Sequence, residues 1–256
     1  MSDRSGIEWT EATWNPVTGC SKVSPGCAHC YAETISHRFG RTSQPWTPQH
    51  AEENVRLHPE RLGQPIKWKR PRIVFVNSMS DLFHDLVPVE FITDVFRSMA
   101  AAPQHTFQVL TKRPERMRDV LPAVYSQLGT DSREALPNVW LGTSVENARF
   151  AWRVDCLRET LAAIRFISAE PLLGPLADDL DLTKIDWVIV GGESGWRHRP
   201  MQPEWVRDLR DQCQSADVAY FFKQWGGRTP KAGGRELDGR TWDQMPVAAP
   251  LELTSS

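Results

Sequence analysis

The sequence predicts an α/β fold, a partial (β/α) barrel of about six to seven parallel strands. Short runs of continuous apolar residues alternate with amphipathic segments, which is typical of a parallel sheet covered by helices on its outer face. Polar residues follow almost every apolar run, as expected where parallel strands end at a functional site. Because no Gly-x-Gly-x-x-Gly follows an early strand, a barrel is favoured over an open nucleotide-binding sheet.

Seven segments are predicted as strands because they are apolar, short and rich in β-forming residues. The first is a short segment within residues 13–18, directly ahead of a loop that contains three cysteines. The others are residues 72–76, 107–110, 138–142, 164–167, 187–190 and 218–222.

Three helices have recognisable starts. A helix follows Pro88, and the next is expected to begin at Pro114. Asn147 is expected to cap a third helix that runs to about Ala163. The helix after Pro88 places apolar side chains on one face, namely Phe91, Ile92, Val95, Phe96 and Met99.

The whole chain, residues 1–256, is predicted to form one domain. Residues 41–69 are weakly periodic and are expected to form a helical insertion or lid after the first βα unit. Residues 228–256 show little periodicity, which predicts an irregular carboxyl-terminal extension.

Composition excludes several classes of protein. The chain is 40% hydrophobic and 24% charged, as in globular proteins, so wholesale disorder is not expected. No apolar run approaches the ~18 residues that cross a bilayer, so no membrane partner is predicted. The net charge of -2 removes the strongest argument for bulk nucleic-acid binding but leaves room for a local basic patch. Residues 1–6 resemble no secretory signal, and a cytoplasmic location is expected.

The five cysteines are unevenly spaced, and their odd number argues against a disulfide framework. Cys20, Cys27 and Cys30 lie within eleven residues, in a loop that Pro25-Gly26 must turn. Such a loop can wrap one metal centre, and three unligated thiols would be open to oxidation. Cys156 and Cys213 stand alone and are interpreted as structural residues.

The number of thiols bears on which metal they hold. Structural zinc requires four ligands, and no second Cys-x-x-Cys is present, although His29 or His37 could supply the fourth. A [4Fe-4S] cluster held by three thiolates leaves one iron open to a small ligand. The count therefore favours a catalytic iron–sulfur cluster on Cys20, Cys27 and Cys30, with zinc as the alternative.

Polar residues at the strand ends predict the wall of a cleft, because the carboxyl ends of parallel strands meet at one edge. Helix capping explains one or two of these residues but not six strand ends. The residues are Asn77, Ser80, Asp81, Lys112, Arg113, Ser144, Glu146, Ser168, Glu170, Glu193, Lys223 and Gln224.

The motifs together resemble a known family. Residues 14–20 and 27–32 resemble the cysteine motif of a phage-associated three-cysteine-motif family of uncharacterised proteins. The resemblance spans about residues 6 to 245. The later segments that match the same family are residues 78–83, 111–114, 142–146, 168–172, 191–195 and 222–226. That family is in turn similar to the radical S-adenosylmethionine enzymes, whose cysteine loop follows the first strand of a partial barrel.

The resemblance implies a cofactor pair and a reaction class. A [4Fe-4S] cluster would bind the amino and carboxylate groups of S-adenosylmethionine at its open iron, and an external electron donor would reduce it. Cleavage of the sulfonium would then give a 5′-deoxyadenosyl radical that abstracts hydrogen from a substrate. The residues predicted to bind S-adenosylmethionine, through its carboxylate, amine or ribose, are Ser80, Lys112, Arg113, Glu146, Glu170 and Glu193.

The sequence specifies the substrate poorly, and only the phage association and two basic runs bear on it. Such runs are more often solvent-exposed charged faces than binding sites. The resemblance implies modification or repair of a DNA or RNA base, and basic residues near Trp46 and Trp68 could line a nucleic-acid groove. The runs are Arg61, Lys67, Lys69, Arg70 and Arg72, and Lys112, Arg113, Arg116 and Arg118. The alternative function is a zinc- or cluster-stabilised nucleic-acid-binding protein without radical chemistry. The sequence identifies neither the oligomeric state nor a catalytic side chain.

Overall fold

A computed structural model describes residues 5–129 and 134–246, and it confirms the predicted fold class. Seven parallel strands form a half-barrel whose outer face is covered by helices. The strand order is β1-β4-β5-β6-β7-β8-β9, so the strands of the large sheet lie side by side in the order in which they follow along the chain, with β2 and β3 outside this sheet. All seven carboxyl ends therefore lie at the same edge.

The strands are β1 (Ala12–Trp14), β2 (Val17–Thr18), β3 (Arg56–Leu57), β4 (Ile73–Val76), β5 (Thr106–Thr111), β6 (Val139–Ser144), β7 (Ile164–Ala169), β8 (Trp187–Gly191) and β9 (Ala219–Gln224). The α-helices are α1 (Tyr31–Arg38), α2 (Ala51–Asn54), α3 (Val89–Ala100), α4 (Pro114–Leu128), α5 (Arg153–Glu159) and α6 (Pro203–Ser215).

The sheet separates two hydrophobic clusters because successive side chains of a strand point to opposite faces. On the outer face, residues such as Val76, Val109 and Leu141 pack against the helices in the main core. On the inner face, alternate positions hold an aromatic cluster that fills the concave side: Trp9, Phe75, Trp140, Phe166, Trp187 and Phe221.

The first predicted strand is divided in two. Residues 12–14 form β1 at the edge of the large sheet, and residues 17–18 form β2, which pairs antiparallel with β3. The break falls at Asn15-Pro16, where proline has no N–H to donate to a ladder.

The helix predicted from Asn147 to about Ala163 is wrong in its length. Asn147 does accept a hydrogen bond from the Arg149 N–H, but it caps a 3₁₀ turn, and α5 ends at Glu159. Thr160 is extended, and its carbonyl accepts hydrogen bonds from the Arg165 guanidinium at 2.8 and 3.2 Å, which turns the chain into β7.

The predicted insertion, residues 41–69, contains α2, β3 and three 3₁₀ turns, so it is less helical than expected. It packs beside the cysteine loop, where the Lys22 N–H donates to the Trp46 carbonyl and the Trp46 N–H to the Glu33 carboxylate. Residues 228–246 contain no helix or strand, and residues 247–256 of the predicted extension lie outside the described residues. No helix in the described ranges has the length and apolarity needed to cross a membrane.

The aromatic cluster on the inner face gives the first prediction. Trp187 is fully buried and contacts the rings of Trp9, Trp140, Phe166 and Phe221 at centroid distances of 5.8–6.2 Å. Trp187→Ala is expected to lower the free energy of unfolding by about 3–5 kcal/mol, because it leaves a cavity that the sheet cannot close.

Urea denaturation of the two proteins measures this loss. Trp196→Ala is the control, since Trp196 is 78% exposed and its removal should change stability by less than about 0.5 kcal/mol. Equal losses in the two variants would show that the inner cluster does not stabilise the half-barrel.

Candidate active site

A cavity of about 510 Å³ lies at the carboxyl-terminal edge of the sheet. Its wall includes Cys20, Cys27 and Cys30 together with polar residues that follow the strands. Its apolar part is formed by residues including Trp9, Phe75 and Leu110, where the inner cluster reaches the cavity. The size is that of a small-molecule site, for which about 300–1,000 Å³ is usual.

The loop from Gly19 to Cys30 carries the three thiols into this cavity. Gly19 has a φ of +81°, and a Cβ there would lie 1.9 Å from the Asn54 carbonyl oxygen, so only glycine fits. Residues Pro25–Cys27 form a 3₁₀ turn, and Cys30 immediately precedes α1. The chain therefore bends twice within the loop, which lets Cys20, Cys27 and Cys30 face the same space.

Cys20, Cys27 and Cys30 are partly exposed as whole residues, whereas Cys156 and Cys213 are buried elsewhere. Cys20 and Cys30 pack against a small apolar cluster of Ala32, Trp46 and Met79. Among the described residues, no group of three His, Cys, Asp or Glu side chains could hold a metal ion in the present conformation.

Burial raises the pKa of the Cys20 thiol to about 12, and it also raises the pKa of Cys30. The carboxylate of Asp81 raises the pKa of Cys20 further, while the guanidinium of Arg113 lowers it. Both thiols are therefore protonated at neutral pH in this structure. Since metals bind the thiolate, a metal bound here would have to displace protons.

The first anchor of the loop is an ion pair between Asp81, which follows β4, and Arg113, which follows β5. Their atoms Oδ2 and Nη1 are 3.3 Å apart. The Arg113 guanidinium also donates to the carbonyl and hydroxyl oxygens of Ser21 at 3.1 and 3.0 Å, and it lies 3.6 Å from the Cys20 sulfur. Asp81 in turn accepts from the Thr111 hydroxyl at 2.7 Å. Arg113 thus joins two strand ends to the first cysteine.

His84 adds a neutral donor to this anchor. Its Nδ1 accepts from the Leu86 N–H at 3.2 Å, so Nε2 carries the proton and donates to the Ser21 hydroxyl at 2.9 Å. Burial and the Arg113 charge lower the pKa of His84 to about 4, so the ring stays neutral beside the guanidinium.

The second anchor is Glu146, which is fully buried after β6. Its carboxylate accepts from the Ser24 hydroxyl at 2.5 Å, from the Lys112 ammonium at 2.6 Å and from Arg153 at 3.1 Å. Burial alone would raise its pKa, but the charges of Lys112 and Arg153 hold the pKa below its ordinary value. A Cβ at Gly26 would lie 2.4 Å from this carboxylate, so the loop rests directly on it.

The third anchor is Glu193, which follows β8. It accepts from the Arg199 side chain and backbone N–H at 2.9 Å, and it lies 3.1 Å from the His29 ring. Although burial opposes ionisation, hydrogen bonds from Arg199 and His29 lower the pKa of Glu193 to about 2. Arg199 also donates to the Pro25 carbonyl at 3.0 Å, which ties the middle of the loop to the end of β8.

Glu170 follows β7 and differs from the three anchors. Among the described residues, it makes no hydrogen bond with the cysteine loop. It pairs with Lys223 at 2.8 Å and accepts from the Ser168 hydroxyl at 3.1 Å. Glu170 and Lys223 both line the cavity. Ser80 also lines it and donates to the Val17 carbonyl at 2.9 Å.

The structure brings five of the six predicted cofactor-binding residues to the cavity wall: Ser80, Lys112, Arg113, Glu170 and Glu193. The sixth, Glu146, lies beneath the cysteine loop rather than on that wall. Arg113 and Glu193 are already paired with other side chains. In the structure Arg113 and Glu193 hold the cysteine loop in position, a role that was not predicted from the sequence.

The anchoring partners are the residues that the sequence analysis missed. Asp81 was among the predicted strand-end residues, but its connection to the cysteine loop through Arg113 was not predicted. Nothing in the sequence indicated that Arg153 and Arg199 anchor the loop, since an arginine within a helix or a loop is usually a solvent-exposed charge.

Most of the predicted basic groove lies away from the cavity. Residues 69–72 lead into the amino end of β4, at the opposite edge of the sheet. Arg116 donates to the carbonyls of His84 and Val87, and Arg118 pairs with Glu159. These two arginines stabilise contacts within the fold.

Comparison with known proteins gives one family and one remote structural match. A family model described as a protein of unknown function, DUF5131, matches residues 4–246. A solved structure, "Spore photoproduct lyase complexed with dinucleoside spore photoproduct", matches with a TM-score of 0.43 and 11% identity. The match covers 77% of this chain and 58% of the other, so this chain spans less than two thirds of that protein. No curated protein matches the chain.

The buried position of Glu146 gives a prediction for the site. Glu146→Gln is expected to lower the free energy of unfolding by about 3–5 kcal/mol, because it leaves the buried Arg153 charge without compensation. Chemical denaturation measures the loss. Glu159→Gln removes an exposed ion pair with Arg118 and should cost less than about 1 kcal/mol. If both variants lose the same stability, the Glu146 network is not an anchor.

Proposed function

The chain belongs to the DUF5131 family, and we propose that this protein is an iron–sulfur enzyme of the radical S-adenosylmethionine type. One observation carries the proposal: three thiols of a single loop face the cavity in which the polar strand ends meet. Thiolates of this kind are the ligands of iron–sulfur clusters, and three of them leave one iron of a [4Fe-4S] cluster without a protein ligand.

The types of residue at the site suit both groups, although the three cysteines would have to move closer together than they are in the present conformation to hold a cluster. The donor set is three cysteines, the cavity has the volume of a small-molecule site, and its wall carries both charges. Cys20, Cys27 and Cys30 would hold the cluster, and S-adenosylmethionine would bind beside it. When reduced by an external electron donor, the bound pair would supply a carbon radical by cleavage of the sulfonium.

Glu170 and Lys223 are the charged residues best placed to orient S-adenosylmethionine. They line the cavity as an ion pair and make no hydrogen bond or ion pair with the cysteine loop within the described ranges. The Glu170 carboxylate would accept hydrogen bonds from the amine or the ribose, and the Lys223 ammonium would pair with the carboxylate of the methionine part. Lys112, which pairs with Glu146, would be a second cation near the carboxylate of S-adenosylmethionine.

The apolar part of the cavity would protect the radical. The side chains of Trp9, Phe75 and Leu110 are apolar apart from the indole N–H of Trp9, which is buried and has no hydrogen-bond partner among the described residues. An apolar surface of this kind would exclude water from the site of the reaction. The polar strand ends would therefore bind the cofactor, while the aromatic cluster bounds the space for the substrate.

We propose further that the substrate is a base of DNA or RNA. The predicted association with phages and the cytoplasmic location stay predictions.

Iron analysis of the anaerobically reconstituted protein tests the proposal. The unaltered protein is expected to bind about four irons per chain, and Cys27→Ala should lose most of them while keeping its helix content. Cys213→Ala is the matched control, because Cys213 is fully buried in the main core and should leave the iron content unchanged. With S-adenosylmethionine and a strong reductant, only the unaltered protein and the control should release 5′-deoxyadenosine.

Two results would contradict the proposal. A colourless protein with one bound zinc per chain would support the alternative function, a nucleic-acid-binding protein stabilised by metal. A cluster that binds normally but releases no 5′-deoxyadenosine would leave a structural or electron-transfer centre.

A further inference from the structure

Two loops beyond the ends of β8 and β9 form one continuous surface, which we call the paired-loop surface. It consists of residues 194–199 and 226–235. The Gly195 N–H donates to the Gly227 carbonyl at 2.8 Å, and the Gly227 N–H donates to the Glu193 carbonyl at 3.0 Å. The backbones are therefore fixed side by side, next to the third anchor of the cysteine loop.

The paired-loop surface is strongly basic in a chain whose net charge is -2. It contains five Lys or Arg residues and no Asp or Glu: Arg197, Arg199, Arg228, Lys231 and Arg235. Arg199 pairs with Glu193 and Arg235 with Asp243. Within residues 5–129 and 134–246, the other three make no ion pair, so their charges are available to an anionic partner.

An exposed tryptophan stands on this surface. Trp196 is 78% exposed, the largest value among the exposed large hydrophobic residues of the described chain. The Arg228 guanidinium lies over its ring, 4.1 Å from the centroid, which orients the indole through a cation–π contact. The high exposure leaves the rest of the ring in solvent. A flat aromatic surface among unpaired cations is the combination that binds single-stranded nucleic acid.

The paired-loop surface continues into the candidate active site. Ser194, from its first loop, and Pro230, from its second, both line the cavity, as does Glu193 at its edge. A polymer lying on the loops could therefore place one of its groups in the cavity without leaving the surface.

We propose that a single strand of DNA or RNA lies across the paired-loop surface, with Trp196 stacked on one base while a neighbouring base enters the cavity. The entry of a base into the cavity rests on the proposed function, whereas binding to the surface does not. Arg197, Arg228 and Lys231 would contact phosphates. A single strand fits better than a duplex, because stacking on an indole requires a base that is not already stacked on both sides.

The test is the affinity of the full-length protein for a fluorescein-labelled single-stranded DNA of mixed sequence, about 12 nucleotides long, by fluorescence anisotropy. Trp196→Ala is expected to weaken binding by about 5- to 100-fold, the value of one base–aromatic stack. Trp196→Phe should retain most of the affinity, and Trp196→Leu should not, because leucine has apolar bulk but no aromatic face. Trp152→Ala, at another exposed tryptophan that does not line the cavity, should bind normally.

Charge variants test the phosphate contacts. The double variant Arg228→Glu and Lys231→Glu should weaken binding and reduce its dependence on salt concentration, because fewer counterions are released. Lys69→Glu makes the same kind of change at the opposite edge of the sheet and should have no effect. If Lys69→Glu weakens binding as much as the double variant, the proposed location is wrong.

Other outcomes would also overturn the inference. Loss of binding in the charge variants with full binding in all Trp196 variants would show that the surface recognises only anionic charge, which contradicts a strand stacked on Trp196. Tighter binding of the duplex than of the single strand would contradict the role of Trp196.

The inference and the proposed function fail separately. Binding is measured without S-adenosylmethionine, on both the reconstituted protein and Cys27→Ala. Normal oligonucleotide binding without 5′-deoxyadenosine release would contradict the proposed enzyme function and support the paired-loop surface as a binding site. Release of 5′-deoxyadenosine without oligonucleotide binding would support the proposed enzyme function and contradict binding at the paired-loop surface.

Discussion

Three buried carboxylates hold the cysteine loop against the strand ends, and the candidate site depends on them. Asp81 acts through Arg113, Glu146 accepts directly from Ser24, and Glu193 acts through Arg199 and His29. The loop has no regular structure apart from one 3₁₀ turn, so the loss of conformational freedom on ordering it is unfavourable. Charge-assisted hydrogen bonds in a buried setting offset that cost and fix where the thiols point.

This constraint divides the polar strand ends into two groups. Arg113, Glu146 and Glu193 are used by the protein itself, so their charges are largely neutralised by partners. Glu170, Lys223 and Ser80 line the cavity, and their side chains make no hydrogen bond or ion pair to the loop among the described residues. The same edge of the sheet thus supports both the cysteine loop and the surface to which we assign the second proposed cofactor.

The sheet and the approximate place of the site could be predicted because they follow from local patterns. Continuous apolar runs such as 187–190 indicate a buried parallel strand, and a polar residue directly after one lies at the common edge. The role of Glu146 could not be predicted, because its partner Ser24 is 122 residues away and the spacing of neither residue indicates the contact. The basic run at residues 69–72 misled for a similar reason: charge in sequence does not tell which edge of the sheet a segment reaches.

The proposed function requires that three thiolates leave one iron of the cluster open to S-adenosylmethionine. The most direct measurement is the electron paramagnetic resonance spectrum of the reduced, reconstituted protein before and after S-adenosylmethionine is added. We expect the spectrum of the cluster to change, because the added molecule would become a ligand of the open iron. An unchanged spectrum at concentrations where S-adenosylmethionine is bound would contradict it, since every iron would then already have a protein ligand.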